Sequence, residues 1–125
     1  MSSRKIVEKI LSEFGAVPVE DIGLVGVVPI FPELKRSQKV MVLWNYDGES
    51  FWIASTFASQ GDLTAQMALK LSEDIPYGIG TLNGDFQLKH FMQFSEVEPN
   101  SLKSHYIRVG VFADQLEEYT GNDTH

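Results

Sequence analysis

Residues 40–57 read VMVLWNYDGESFWIASTF, and this stretch decides the fold. Two alternating runs flank a polar centre. The residues that share a face are Val40, Val42, Trp44 and Tyr46 in the first run, and Phe51, Ile53, Ser55 and Phe57 in the second. Alternation with a period of two predicts two half-buried strands. Asp47-Gly48 between them predicts a tight type I′ hairpin, in which both central residues need positive φ.

A second hairpin is predicted further along the chain. Residues 77–82 read as a strand, and Asn83-Gly84 as another tight turn. From 85 to 94 one face carries Phe86, Leu88, His90, Met92 and Phe94, and the other carries Gln87, Lys89 and Gln93. This alternation predicts an antiparallel strand that is buried on one side.

One more strand is predicted upstream, over residues 22–31. Pro29 cannot donate a hydrogen bond to a neighbouring strand, which favours an irregular or edge strand. Residues 32–37 are predicted to form a charged loop.

Three helices complete the pattern. Residues 3–14 are amphipathic, with Ser2 or Ser3 as the N-cap. A short helix follows Asp62 as its cap, and a long helix covers about 101–120, before Gly121. The order helix, three strands, helix, two strands, helix predicts a single α+β domain over residues 1–125. Its sheet has about five antiparallel strands, with helices packed on one face.

Composition excludes several classes of function. The 125 residues include 10 Lys and Arg against 17 Asp and Glu, a net charge of -7, which repels nucleic acid and anionic membranes. There is no cysteine, so no disulfide or thiolate zinc site is expected. No long apolar run follows the basic N-terminus, so neither a signal peptide nor a membrane span is expected. We expect a cytoplasmic protein.

The sequence offers no clear catalytic constellation. His90 lies on the apolar side of its strand, and a structural role is the favoured interpretation. His105 lacks a metal-binding partner at helical spacing, and His125 is terminal. Asp114, Glu117 and Glu118 are expected to form a solvated acidic end of the last helix. We therefore expect no catalytic residue, no cofactor and no metal.

The two tryptophans flank the first hairpin. Counting back from the turn places Trp44 near Phe51 or Trp52 across the strands. Such aromatic pairs usually stabilise a sheet, so burial in the core is favoured. If they face solvent instead, they are candidates for a binding hot spot.

The element order resembles the type III secretion chaperone fold and the related YbjN-like proteins. The resemblance rests on residues 75–90, IPYGIGTLNGDFQLKH, on the following FMQF at 91–94, and on a long final helix that includes ADQL at 113–116. It implies a compact, acidic, usually dimeric domain that binds protein segments. YbjN-like proteins are described as regulators of motility or stress responses. The resemblance brings no catalytic residues.

The leading hypothesis is a non-catalytic protein-binding module, chaperone-like or regulatory, that acts as a homodimer and binds another protein or peptide segment. Candidate binding residues are Phe91, Trp44, Trp52 and Phe94. Phe91 is preferred because it interrupts a polar strand face. One alternative is a small-molecule-binding regulator with a pocket between sheet and helices. Another is an enzyme in which the fold brings carboxylates or His90 together.

Overall fold

The computed structural model describes residues 2–30, 36–59, 61 and 63–120. Its elements, in chain order, are helix α1 (Ser3–Ile10) with a 3-10 turn (Leu11–Phe14), strands β1 (Val17–Val19), β2 (Gly23–Ile30), β3 (Arg36–Trp44) and β4 (Ser50–Ser59), helix α2 (Ala65–Ser72), strands β5 (Gly78–Leu82) and β6 (Asp85–Gln93), a second 3-10 turn (Phe94–Glu96), and helix α3 (Pro99–Thr120). The predicted α+β fold is confirmed.

The strands form one sheet in the order β1-β2-β3-β4-β6-β5, and every neighbouring pair is antiparallel. The sheet has six strands, whereas about five were predicted. The additional strand is β1, which pairs with the start of β2 through Val17 opposite Val25. A three-residue strand with Pro18 at its centre is too short for an alternating pattern to reveal it.

The two predicted hairpins differ in how well the turn was predicted. Asn83 and Gly84 both have positive φ, 51° and 86°, as a type I′ turn requires. The type I′ turn predicted at Asp47-Gly48 is wrong, because Gly48 has φ 71° but Asp47 does not share the positive region. There the Asp47 carboxylate accepts hydrogen bonds from the Ser50 backbone N–H and hydroxyl, which stabilises a longer loop.

Other predicted boundaries shift slightly. Arg36 and Ser37 belong to β3, not to a loop, and residues 32–35 lie outside the described part of the chain. Pro29 lies in the second strand of the sheet, although β1 pairs only with Gly23–Val25, so Pro29 has β3 alone beside it. Thr64 is the N-cap of α2, and the predicted cap and stop residues, Asp62 and Gly121, lie outside the described residues.

The core lies between one face of the sheet and the helices. Helix α3 packs against β2, β3, β4 and β6. Its residue Tyr106 is fully buried, and the Tyr106 hydroxyl donates a 2.6 Å hydrogen bond to the Val40 carbonyl oxygen. This contact fixes the long helix over the centre of the sheet.

The acidic end of α3 is solvated at Glu118 only. Asp114 and Glu117 are buried, contrary to the expectation from sequence. Arg36 donates to Asp114 at 2.6 Å and also pairs with Glu118. The Gln38 side-chain amide donates to Glu117 at 2.8 Å. These carboxylates therefore join α3 to β3.

A candidate protein-binding surface

The second face of the sheet is not covered by any of the three α-helices in the described part of the chain. We call it the open face. Strand alternation turns apolar side chains from five strands toward it. They are Val17 and Val19 of β1, Val25 and Val27 of β2, Met41 and Leu43 of β3, Trp52 of β4, and Phe91 of β6. Val27 and Phe91 are 48% and 43% exposed, so this face presents apolar surface to solvent.

The aromatic centre of the open face is the pair Trp52 and Phe91. These residues are directly opposite each other on β4 and β6. Their rings meet edge to face with centroids 5.2 Å apart, a favourable geometry for two aromatic rings. The Lys89 ammonium lies 4.4 Å from the Trp52 ring centroid, so a cation borders the pair.

Beside this pair the sheet forms a groove of about 480 Å³. One wall includes Lys39 and Met41 of β3, and the β5–β6 hairpin contributes Leu82. Thr56 and Gln87 also line the groove. Gln87 is buried, and its side-chain nitrogen donates to the Thr56 hydroxyl at 3.3 Å, while its Oε1 has no hydrogen-bond partner among the described residues.

Two of the four predicted binding residues lie elsewhere. Trp44 and Phe94 pack around Phe51 at one end of the core, with ring centroids 6.0 Å and 5.2 Å from that of Phe51. Both are half-buried, and the Arg4 guanidinium lies 5.4 Å from the Trp44 ring centroid. The structure therefore separates Trp44 and Phe94, on the helix side, from Trp52 and Phe91, on the open face. Trp44 pairs with Phe51, as the turn count predicted.

His90 is part of an aromatic cluster under α3. Its ring stacks on that of His105, and its edge-to-face neighbour is Tyr77, with centroids 5.1 Å apart. The Tyr77 hydroxyl and His105 Nδ1 share a hydrogen bond of 2.9 Å. The sequence pattern gave no sign that these two histidines are in contact, so the stacking of their rings was not predicted. Across the described ranges, no group of three or more His, Asp and Glu side chains could hold a metal ion.

The pocket required by the small-molecule alternative would lie between the sheet and the helices. Under α3 that space is filled by fully buried side chains, among them Tyr106, Phe51 and Phe57. An apolar groove of about 330 Å³ does lie between α2 and β5, at the edge of the sheet. The small-molecule alternative therefore stays a prediction, and this groove is where it would apply.

Lys39, Met41 and Gln87 line the groove, but the sequence analysis did not identify them as binding residues. A partial signal exists for two of them, because Lys39 and Met41 alternate with the predicted core residues Val40 and Val42. Their proximity to Gln87 depends on the pairing of β4 with β6, which local pattern does not reveal. None of the described helices is long and apolar enough to cross a membrane.

No protein-family model matches this chain, and no curated protein matches it. Solved structures do share its fold. A chain in the HopA1–SchA chaperone–effector complex is 10% identical, with a TM-score of 0.64 and 92% of each chain covered. A chain in the ExsC–ExsE complex is 11% identical, with a TM-score of 0.65, covering 94% of this chain and 96% of the other.

A third similar structure is an uncharacterised protein from Methanothermobacter thermautotrophicus. It is 17% identical, with a TM-score of 0.53, covering 95% of this chain and 96% of the other. At these identities the likeness shows the fold alone. The predicted secretion chaperone-like α+β architecture is thereby confirmed.

Proposed function

We propose that this domain is a non-catalytic protein-binding module, chaperone-like or regulatory, which binds a segment of another protein on the open face of its sheet. The observation that carries the proposal is the uncovered apolar face centred on Trp52 and Phe91. Monomeric proteins usually cover or charge such a surface, and exposed apolar patches mark interaction sites. The shared fold with a chaperone–effector complex supports the same function.

The experiment is capture of a partner from native lysate with tagged wild type and the Phe91→Ala variant. We expect the variant to lose the captured protein, because Phe91 is an exposed aromatic residue paired with Trp52, and such residues often dominate binding. Ile107→Ala is the matched control. Ile107 is 39% exposed, close to the 43% of Phe91, but it lies on α3, on the other side of the sheet.

Thermal unfolding separates binding from folding in this experiment. Truncation of a half-exposed side chain should leave the melting temperature nearly unchanged. A large decrease for Phe91→Ala would identify Phe91 as a residue needed for packing. Equal capture by wild type and Phe91→Ala would refute binding at the open face.

We also infer that the domain is a homodimer formed through α2 and β5. Strand β5, GIGTL, is at the edge of the sheet and has no charged residue, whereas unpaired edges usually carry charges that prevent pairing. Leu69 of α2 is 71% exposed, and an apolar groove of about 330 Å³ separates α2 from β5. Two copies related by a twofold axis would pair their β5 edges and cover both α2 helices.

The relationship to YbjN-like proteins and the cytoplasmic location expected from sequence remain predictions. A regulatory role and a chaperone role would use the same surface. The identity of the captured protein distinguishes them, because a chaperone binds a client that is later exported or folded, and a regulator binds a component of a control circuit.

A further inference from the structure

The open face differs in charge from the chain as a whole. The chain has a net charge of -7. Strand alternation turns three charged side chains toward the open face, and they are Lys39 of β3 and Lys89 and Asp85 of β6. The described strands therefore give this face a small excess of positive charge on an otherwise acidic protein.

The two lysines lie on either side of Ala54 and Thr56, one row of residues away from Trp52 and Phe91. Lys89 and Met41 both pair with Ala54, and Lys39 lies two residues from Met41 on the same side of β3. The two lysines are separated by two strand spacings across the sheet and by two residues along the strand direction. Together these distances place their Cα atoms ~12 Å apart. Lys39 is exposed and Lys89 is half-buried, so both ammonium groups can be reached from solvent.

Gln87 supplies a second, independent observation. It lines the same groove as Lys39 and is 2% exposed, yet its Oε1 accepts no hydrogen bond from any residue that the structure describes. Nearly all buried acceptors in proteins have a donor, because an unsatisfied one destabilises the fold. Because this oxygen has almost no exposed surface, the backbone N–H of a bound segment would reach it once the Gln87 side chain turned toward the groove.

We propose, on the basis of the protein-binding function above, that the open face receives an extended segment in which an apolar side chain is flanked by two carboxylates. The apolar side chain packs on Met41 and Ala54, next to the Trp52 and Phe91 pair, and the carboxylates pair with the two lysines. An extended chain advances about 6.7 Å every two residues, so carboxylates four residues apart match the lysine separation. The partner motif is an acidic residue, an apolar residue two positions later, and a second acidic residue after two more.

Synthetic peptides test this motif directly. Three nine-residue fluorescent peptides share one central leucine. They differ only at the positions two residues before and two residues after it, where both residues are Glu, both Gln or both Lys. We expect fluorescence anisotropy at low salt to show the Glu peptide binding about fivefold more tightly than the Gln peptide, with the Lys peptide weakest. Lys39→Glu and Lys89→Glu should each weaken the preference for the Glu peptide. Lys9→Glu, the control on α1, changes net charge equally and should leave the preference unchanged.

Equal affinities, tightest binding of the Lys peptide, or no binding by any peptide would overturn the motif. The capture experiment is independent of that result. If capture depends on Phe91 but the three peptides bind with equal affinity, only the motif is refuted. If Phe91→Ala leaves capture unchanged, the proposed function is refuted. A wild-type dimer that Phe91→Ala dissociates would show a second copy on the open face, and would also overturn the motif.

Discussion

The imidazole rings of His90 and His105 stack with their centroids 4.3 Å apart, joining β6 to α3. The groups that face this pair are Tyr77, which contacts both rings, and the charged residues Glu96 and Arg108. Burial lowers the pKa of His90, and the adjacent His105 and Arg108 lower it further against the opposing effect of Glu96. Burial and Arg108 lower the pKa of His105.

Folding stability should therefore decrease in mild acid. Because both folded-state pKa values lie below 6.5, the unfolded chain binds more protons as the pH falls through that value. The stabilisation by neutral histidines is fully present above pH 6.5 and is lost as the pH falls from there toward the folded-state pKa values. We expect a lower melting temperature at about pH 5.5 than at about pH 7.5.

Carboxylates also titrate in acid, so the contribution of the two histidines to the change in melting temperature must be measured against a variant that lacks them. A variant with both His90→Gln and His105→Gln keeps polar side chains but cannot titrate in this range. The difference in melting temperature between the two pH values should be smaller in the variant than in wild type. An equal difference in both proteins would show that the stacked pair does not sense pH.

The Tyr106 hydroxyl should contribute measurably to stability. It is fully buried, donates to the Val40 carbonyl oxygen, and has a pKa that burial raises. Tyr106→Phe leaves that carbonyl without this donor, which should lower the free energy of unfolding by about 1–2 kcal/mol. Denaturant titration measures the change. Tyr46→Phe, at a fully exposed tyrosine, is the control and should have no effect; equal stability of both variants would contradict the role of the bond.

The buried end of α3 should depend on Gln38. Its side-chain amide donates to Glu117, to the Ser55 hydroxyl and to the Thr56 carbonyl oxygen. Gln38→Leu removes these hydrogen bonds and should destabilise the domain by about 2–3 kcal/mol, since a buried carboxylate loses a donor. Gln115→Leu, at an exposed position of the same helix, should be within about 0.5 kcal/mol of wild type. A Gln38 variant as stable as the Gln115 variant would show that Glu117 does not need this bond.

The sequence predicted elements better than it predicted distant contacts. Alternation and Asn83-Gly84 identified the strands of both hairpins, because neighbouring strands joined by short turns leave a local pattern. The burial of Asp114 could not be predicted, since its partner Arg36 lies 78 residues away. The proximity of Lys39 to Gln87 could not be predicted either. Helix α2 and strand β5 lie between β4 and β6 in the chain, and a bulge after Thr56 shifts the register in which β4 and β6 pair.

The proposed dimer should dissociate when its apolar surface is charged. Leu69→Asp places a carboxylate on a residue of α2 that is 71% exposed, and its symmetry-related copy would face the same surface across a twofold axis. Light scattering with size exclusion should show twice the mass of one chain for wild type and a single chain for the variant. Ile107→Asp, on α3, should remain dimeric. A wild type that stays monomeric at high concentration, or a Leu69 variant that stays dimeric, would refute the interface between α2 and β5.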